Sequence, residues 1–201
     1  MVGRRTTPPA RERLLDAAEE LFYERGIAAT GVDAVLTRAR VAPATLYAHF
    51  TGKDELVAEY LRRRHERWRG TWDDVLAARD DPLERVLSVF DALEVLGQRG
   101  SSRRGCAFLG AAVELPMVDH PAHAWLAADT RLLHQRLHQL ARDSGAADPD
   151  ALAAELLLLY DGALAARARA DILSTSHDTA VALARRAAVA AVARHVQAER
   201  A

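Results

Sequence analysis

Three helix-start signals crowd the stretch from Thr30 to Asp54, and the segments between them are too short to hold as helices unless they pack on neighbours. The first is Thr30-Gly31-Val32-Asp33, a capping-box pattern in which a threonine oxygen and an aspartate satisfy free amides at a helix start. The second is Pro43, a residue suited to the first position of a helix because its missing amide would be unpaired there anyway. The third is Thr51-Gly52-Lys53-Asp54, which repeats the capping logic and opens a long helix to about Ala78. Between the first two, Val32, Val35, Leu36 and Ala39 make an apolar face of under three turns, and Arg40-Val41-Ala42 is left as a turn. After it, Leu46 and Phe50 point inward.

A preceding helix braces this pair. Leu14, Leu15, Ala18, Leu21 and Phe22 recur at one-face spacing, and Gly26 ends the run. A left-handed glycine there, with Ile27 against Phe22, would make a Schellman cap. Downstream, Asp81-Pro82 opens a fifth helix on Leu83, Val86, Leu87, Phe90 and Leu93, and Gly97 to Gly105 is a flexible break. A sixth helix is expected over Cys106 to Leu115 and a seventh from Pro121 to Ser144. The eighth starts at Asp148-Pro149. The ninth starts at the capping box Thr175 to Asp178 and runs to about Val196.

Composition agrees with an all-α fold: half of the residues are apolar, Ala and Leu fill long segments, and β-branched residues rarely cluster. A net charge of −1 argues against a protein that coats nucleic acid indiscriminately. The first seventy residues nevertheless hold 13 Arg and Lys against 10 Asp and Glu. A single cysteine, Cys106, excludes an internal disulfide and fits a reducing compartment, where apolar neighbours make it a structural thiol. MVGRRTTPPA lacks the apolar run of a signal peptide, and no stretch has the apolar length of a membrane helix, so a cytoplasmic protein without membrane attachment is expected.

Two short helices joined by a tight turn and braced by a third are the general build of a helix-turn-helix, here about residues 31–50. The second is the reading helix, whose outer arc holds Ala44, Thr45, Tyr47, Ala48 and His49. Lys53 stands in the first turn of the next helix, where the macrodipole opposes a cation; a DNA phosphate or a neighbouring carboxylate of Asp54 or Glu55 would offset that.

The run TGVDAVLTRARVAPATLYAHFTGKDEL resembles the DNA-binding module of the tetracycline-repressor (TetR) family in Thr45, Leu46, Tyr47, His49, Phe50, Lys53 and Leu56, and the first helix agrees in Ala18, Phe22 and Gly26. The resemblance implies a DNA-binding domain over 1–55 and a helical effector-binding and dimerisation domain over 56–201. It also implies that Thr30, Thr45, Tyr47, His49 and Lys53 contact the duplex, mostly at phosphates, beside Arg40, Ala42, Pro43 and Ala44. Two positions depart from the family's wording. Arg40 stands where a glycine usually makes the turn, at a cost on the order of 1 kcal/mol if it turns left-handed. Ala42 stands where a serine usually caps the reading helix, which forgoes about 1 kcal/mol. Base reading would then lean on Thr45 and on apolar contact with thymine methyls.

The segment RGCAFLGAAVELP, followed by Asp119-His120-Pro121, is similar to a subset of that family. The implied partners are palindromic operator DNA, a second copy of the chain and a small-molecule effector that releases the operator. The dimer would use the last two long helices, through Leu156, Leu159 and Tyr160 on one and Ala184, Ala187, Ala188 and Ala191 on the other; intrachain packing is the alternative reading of these residues. Trp68, Trp72, Phe90, Phe108, Met117 and Trp125 could line a pocket but read first as core, so no ligand residue is assigned. His134 and His138 share a helix face, with His120 and His123 upstream, but two histidines fall short of a metal site. No cofactor and no enzyme motif is expected.

Overall fold

The computed structural model describes residues 8–98, 105–115, 119–174 and 176–197. Helices account for the regular structure among them: α1 (Ala10–Arg25), α2 (Val32–Ala39), α3 (Pro43–Tyr47), α4 (Lys53–Ala77), α5 (Pro82–Gln98), α6 (Ala107–Glu114), α7 (His123–Asp143), α8 (Pro149–Ala168), α9 (Ala170–Leu173) and α10 (His177–Gln197). The nine helices expected from periodicity are all present, and the single turn α9 is additional. Met117 and Thr175 lie outside the described residues.

The chain forms two compact units. One combines residues 1–64 with 107–126; the other combines 65–106 with 127–201. The first unit has its own core, in which Leu14, Leu15, Ala18 and Phe22 of α1 meet Val35 and Leu36 of α2, Leu46 of α3, and Leu56, Val57, Tyr60 and Leu61 of α4. Ala111 of α6, Ala122 and Leu126 complete it. Phe22 and Tyr60 meet edge to face, with ring centroids 5.6 Å apart.

In the second unit, Trp68 and Trp72 of α4 pack with Val86, Val89 and Phe90 of α5, Leu133 and Leu137 of α7, Leu152, Leu156 and Tyr160 of α8, and Ala184, Ala188 and Ala191 of α10. The indole of Trp72 is fully buried and donates to Ser88 Oγ at 2.8 Å, so its polar atom enters the core satisfied. Cys106 is half-buried and packs against this core.

Several local devices differ from expectation. Gly26 has a positive φ of 92° but a ψ of 155°, which is not the left-handed helical conformation, so no Schellman cap forms there. At α2 the N-cap is Gly31 and no side chain caps the helix. The Thr30 hydroxyl instead turns inward, donating to the carbonyls of Gly26 at 2.8 Å and Leu21 at 3.3 Å. At the start of α4 the carboxylate that reaches back belongs to Glu55 rather than Asp54, accepting from Thr51 N at 2.6 Å. Asp148 caps α8 as expected, accepting from Ala151 N at 3.0 Å. No helix among the described residues is long and apolar enough to cross a membrane.

Candidate nucleic-acid interface

The turn between α2 and α3 is built around Arg40, which sits at φ 55°, ψ 53°. Val41 N donates to Leu36 O at 3.2 Å and Arg40 N to Thr37 O at 3.3 Å. These are the two bonds of a Schellman motif, with arginine in the left-handed position that glycine normally fills. The motif expected at Gly26 therefore occurs at Arg40, with a side chain that pays the steric cost of that conformation.

Its surroundings hold the turn in place. Arg13 of α1 extends Nη1 to the carbonyls of Ala39 and Arg40, both at 3.2 Å, which puts a cation on the negative end of α2. Arg38 grips Glu20 through Nε and Nη2, at 2.8 and 2.6 Å.

Ala42 occupies the N-cap of α3 in an extended conformation with no side-chain cap, and Pro43 follows at the first helical position. Leu46 and Phe50 are buried, with the Arg11 guanidinium 5.5 Å above the Phe50 ring. Leu46 sets the rotation of the helix. Ala42, Pro43, Ala44, Tyr47, Ala48 and His49 all face outward and Thr45 is half-buried; Tyr47 is 63% exposed. An outward tyrosine of that size leaves most of its ring and hydroxyl open to a partner.

Lys53 lies in the first turn of α4 and makes no ion pair or hydrogen bond among the described residues. Both carboxylates that could have neutralised it are engaged. Asp54 Oδ1 lies 3.4 Å from His120 Nε2, and Glu55 accepts from Thr51 N, a bond that holds the Glu55 carboxyl below its usual range. An uncommitted lysine beside a helix N-terminus is the chemistry that attracts an anion.

Eight of the nine expected DNA contacts, Arg40, Ala42, Pro43, Ala44, Thr45, Tyr47, His49 and Lys53, lie in the turn before α3, in α3, in the turn after it or at the start of α4, with exposed or half-buried side chains. Thr30 is the exception: it is 1% exposed and its hydroxyl is spent inside the unit.

The seven residues expected at a dimer contact divide differently. Leu156, Tyr160, Ala184, Ala188 and Ala191 are buried where α8 and α10 pack within the chain, Leu159 is half-buried, and Ala187 is exposed. The other side of these helices is left uncovered by the chain. There Leu158 is 72% exposed, Leu183 50% and Val189 45%, among exposed Ala154, Ala165 and Ala190. The signal was present in α8, which is apolar on more than one face.

Among the aromatic residues considered for a pocket, Trp68, Trp72 and Phe90 share the core of the second unit, whereas Phe108 and Trp125 pack against that of the first. The histidines have separate partners: His120 Nδ1 accepts from Ala122 N at 3.1 Å, His123 Nε2 meets Leu115 O at 2.8 Å, and His138 Nε2 lies 3.0 Å from Asp150. No group of three metal-ligating side chains occurs among the described residues.

Residues 14–60 match the family profile described as bacterial regulatory proteins, tetR family. The chain is 35% identical over 82 residues to the transcriptional repressor KstR2 of Mycobacterium tuberculosis, a match covering 41% of each protein. It is 32% identical over 78 residues to the transcriptional regulator UidR of Escherichia coli, covering 39% of this chain and 36% of that one. These matches span well under half of either relative. Two solved structures are similar across nearly the whole chain. SCO4454, a TetR-family transcriptional regulator from Streptomyces coelicolor, aligns with a TM-score of 0.83 at 30% identity, covering 93% of this chain and 96% of that one. The putative regulator sav143 from Streptomyces avermitilis aligns at 0.68 with 33% identity, covering 90% and 98%.

Proposed function

The chain belongs to the TetR family of bacterial regulatory proteins, and from that premise we propose that it is a cytoplasmic repressor whose homodimer holds a palindromic operator and releases it when a small molecule binds the second unit. Its homologues are transcription regulators and not enzymes. The observation that carries the reading is the outward arc of α3 ending at the uncommitted Lys53. Tyr47, His49 and Lys53 take phosphates, and Thr45 with the methyl groups of Ala44 and Ala48 takes base edges. Arg40, Ala42 and Pro43 approach the backbone around them.

Two such heads one helical turn of DNA apart require a two-fold assembly. In that assembly the exposed side of α8 and α10, through Leu158, Leu183, Ala187 and Val189, meets its copy. An effector then acts by favouring a dimer whose heads no longer match the operator spacing.

The test is binding of the protein to duplexes that it selects from a random-sequence pool, measured against salt. Lys53→Ala and Tyr47→Ala weaken all sequences alike, and Lys53→Ala lowers the slope of log affinity against log salt by about one. Thr45→Ala relaxes selectivity. Absence of any salt-dependent, sequence-selective binding by the wild-type protein overturns the reading.

A further inference from the structure

The segment from Ala107 to Leu126 packs into the same unit as the reading head, although about sixty residues separate it in sequence from the end of α3. Its role lies in one side chain. Glu114 ends α6, where the negative pole of the helix disfavours a carboxylate, so its position there needs another source of stabilisation.

That source is the loop joining α1 to α2. Glu114 Oε2 accepts from Ala28 N at 2.6 Å. The same carboxylate lies against Gly26, where an added Cβ would come within 3.1 Å of Oε1 and 3.2 Å of Oε2. Gly26 is thus fixed twice, by its positive φ and by the carboxylate resting on it. The segment is itself anchored: Ala111 and Ala122 are buried in the core, His123 Nε2 meets the Leu115 carbonyl at 2.8 Å, and His120 touches Asp54.

The loop is what places α2. With no side-chain cap at Gly31, the start of α2 is set by Thr30, whose hydroxyl donates to the Gly26 carbonyl, and by the grip on Ala28. Beyond α2, the turn at Arg40 joins α3 through a tight pair of backbone hydrogen bonds, so a shift at the start of α2 passes on to the reading helix. We infer that Glu114 is a positioning residue for operator recognition, holding the α1–α2 loop through Ala28 and Gly26 and so setting the angle at which α3 meets DNA. This rests on the DNA-binding function proposed above.

The experiment compares Glu114→Ala and Glu114→Gln in the full chain, using the selected duplex, a scrambled duplex and amide hydrogen exchange across residues 26–31. Glutamine keeps an oxygen that can accept from Ala28 and alanine does not. In Glu114→Ala the Ala28 amide exchanges about tenfold faster and selected-duplex affinity falls about tenfold, the scale of a lost charge-assisted hydrogen bond. Scrambled-duplex affinity stays within about twofold, because the phosphate contacts are intact, and Glu114→Gln recovers selected-duplex binding to within about threefold. Unchanged exchange and unchanged operator affinity in Glu114→Ala overturn the inference. So does equal loss on both duplexes with lost helicity, which marks a purely structural role. If wild-type protein selects no duplex at all, the DNA-binding reading has failed and the inference fails with it, whatever the exchange rates.

Discussion

Ala42 stands at the N-cap of the reading helix with the backbone of a capping residue and no side chain to cap with. Its φ of −74° and ψ of 152° already suit the cap, so Ala42→Ser needs no backbone rearrangement. Pro43 brings no amide, and Thr45 N already donates to Ala42 O at 2.9 Å. The amide left for a serine oxygen is therefore that of Ala44, with Thr45 sharing. A serine cap over alanine is worth about 1 kcal/mol. For cooperative unfolding of a chain this size, that raises Tm by about 2–4 °C, and by about 4–8 °C if the first unit melts alone. The assay is thermal and denaturant unfolding followed by circular dichroism, with an unchanged denaturant slope showing that the change is in stability. Ala44→Ser is the control, since the same hydroxyl inside the helix costs about 0.5 kcal/mol in propensity and caps nothing. Equal shifts in the two variants, or no gain in Ala42→Ser, would refute the claim that α3 lacks only a side-chain acceptor.

At the exposed side of α8, Leu158→Glu should leave each folded chain intact and turn the proposed dimer into monomer by sedimentation. Leu156→Ala, in the core two residues earlier, should cost about 2–5 kcal/mol of folding stability. At the turn, Arg40→Gly should stabilise by up to about 1 kcal/mol, and Arg40→Val should destabilise by more than that, because a β-branched residue tolerates positive φ least. Glu59 is held below the usual carboxylate range by its hydrogen bonds with Arg62 and then Arg11. A lowered folded-state pKa adds stability above the unfolded value, lost as pH falls through the folded one. The stability difference between wild type and Glu59→Gln should thus shrink between about pH 5 and pH 3 and stay below about 1 kcal/mol throughout, since the pair is partly solvated.

Helix number and order were legible because apolar periodicity and caps are local signals. Leu14, Leu15, Ala18 and Phe22 mark a face whatever they later touch. Capping was legible only in part. A threonine before a helix can accept from the helix or donate backward to a carbonyl, and Thr30 does the second because its side chain is buried. In the same way a glycine and an arginine exchanged roles at the two turns, since the Schellman geometry follows the hydrogen bonds of α2 and not the identity of one residue. Which side of α8 the chain itself covers was the hardest to read. Leu156 and Leu158 are two residues apart on a helix apolar on several sides, and only the position of α10 decides which of them meets its own chain. No local pattern carries that choice. Nor does one place α6 beside α1, because that contact joins residues far apart in sequence.

The reading head is weakly determined by its own residues. α3 has five residues, no cap and one buried side chain, and the turn before it carries an arginine in a glycine conformation. By propensity alone such a segment would not hold one orientation. What holds it is external: Arg13 on the last carbonyls of α2, Arg38 on Glu20, Arg11 over Phe50, and Glu114 on the loop before α2. The head's geometry is therefore set by α1 and α6, neither of which contributes to its outer arc. Substitutions at those ties should change operator affinity with Tyr47 and Lys53 intact, as duplex-binding measurements on Arg13→Ala and Arg38→Ala would check.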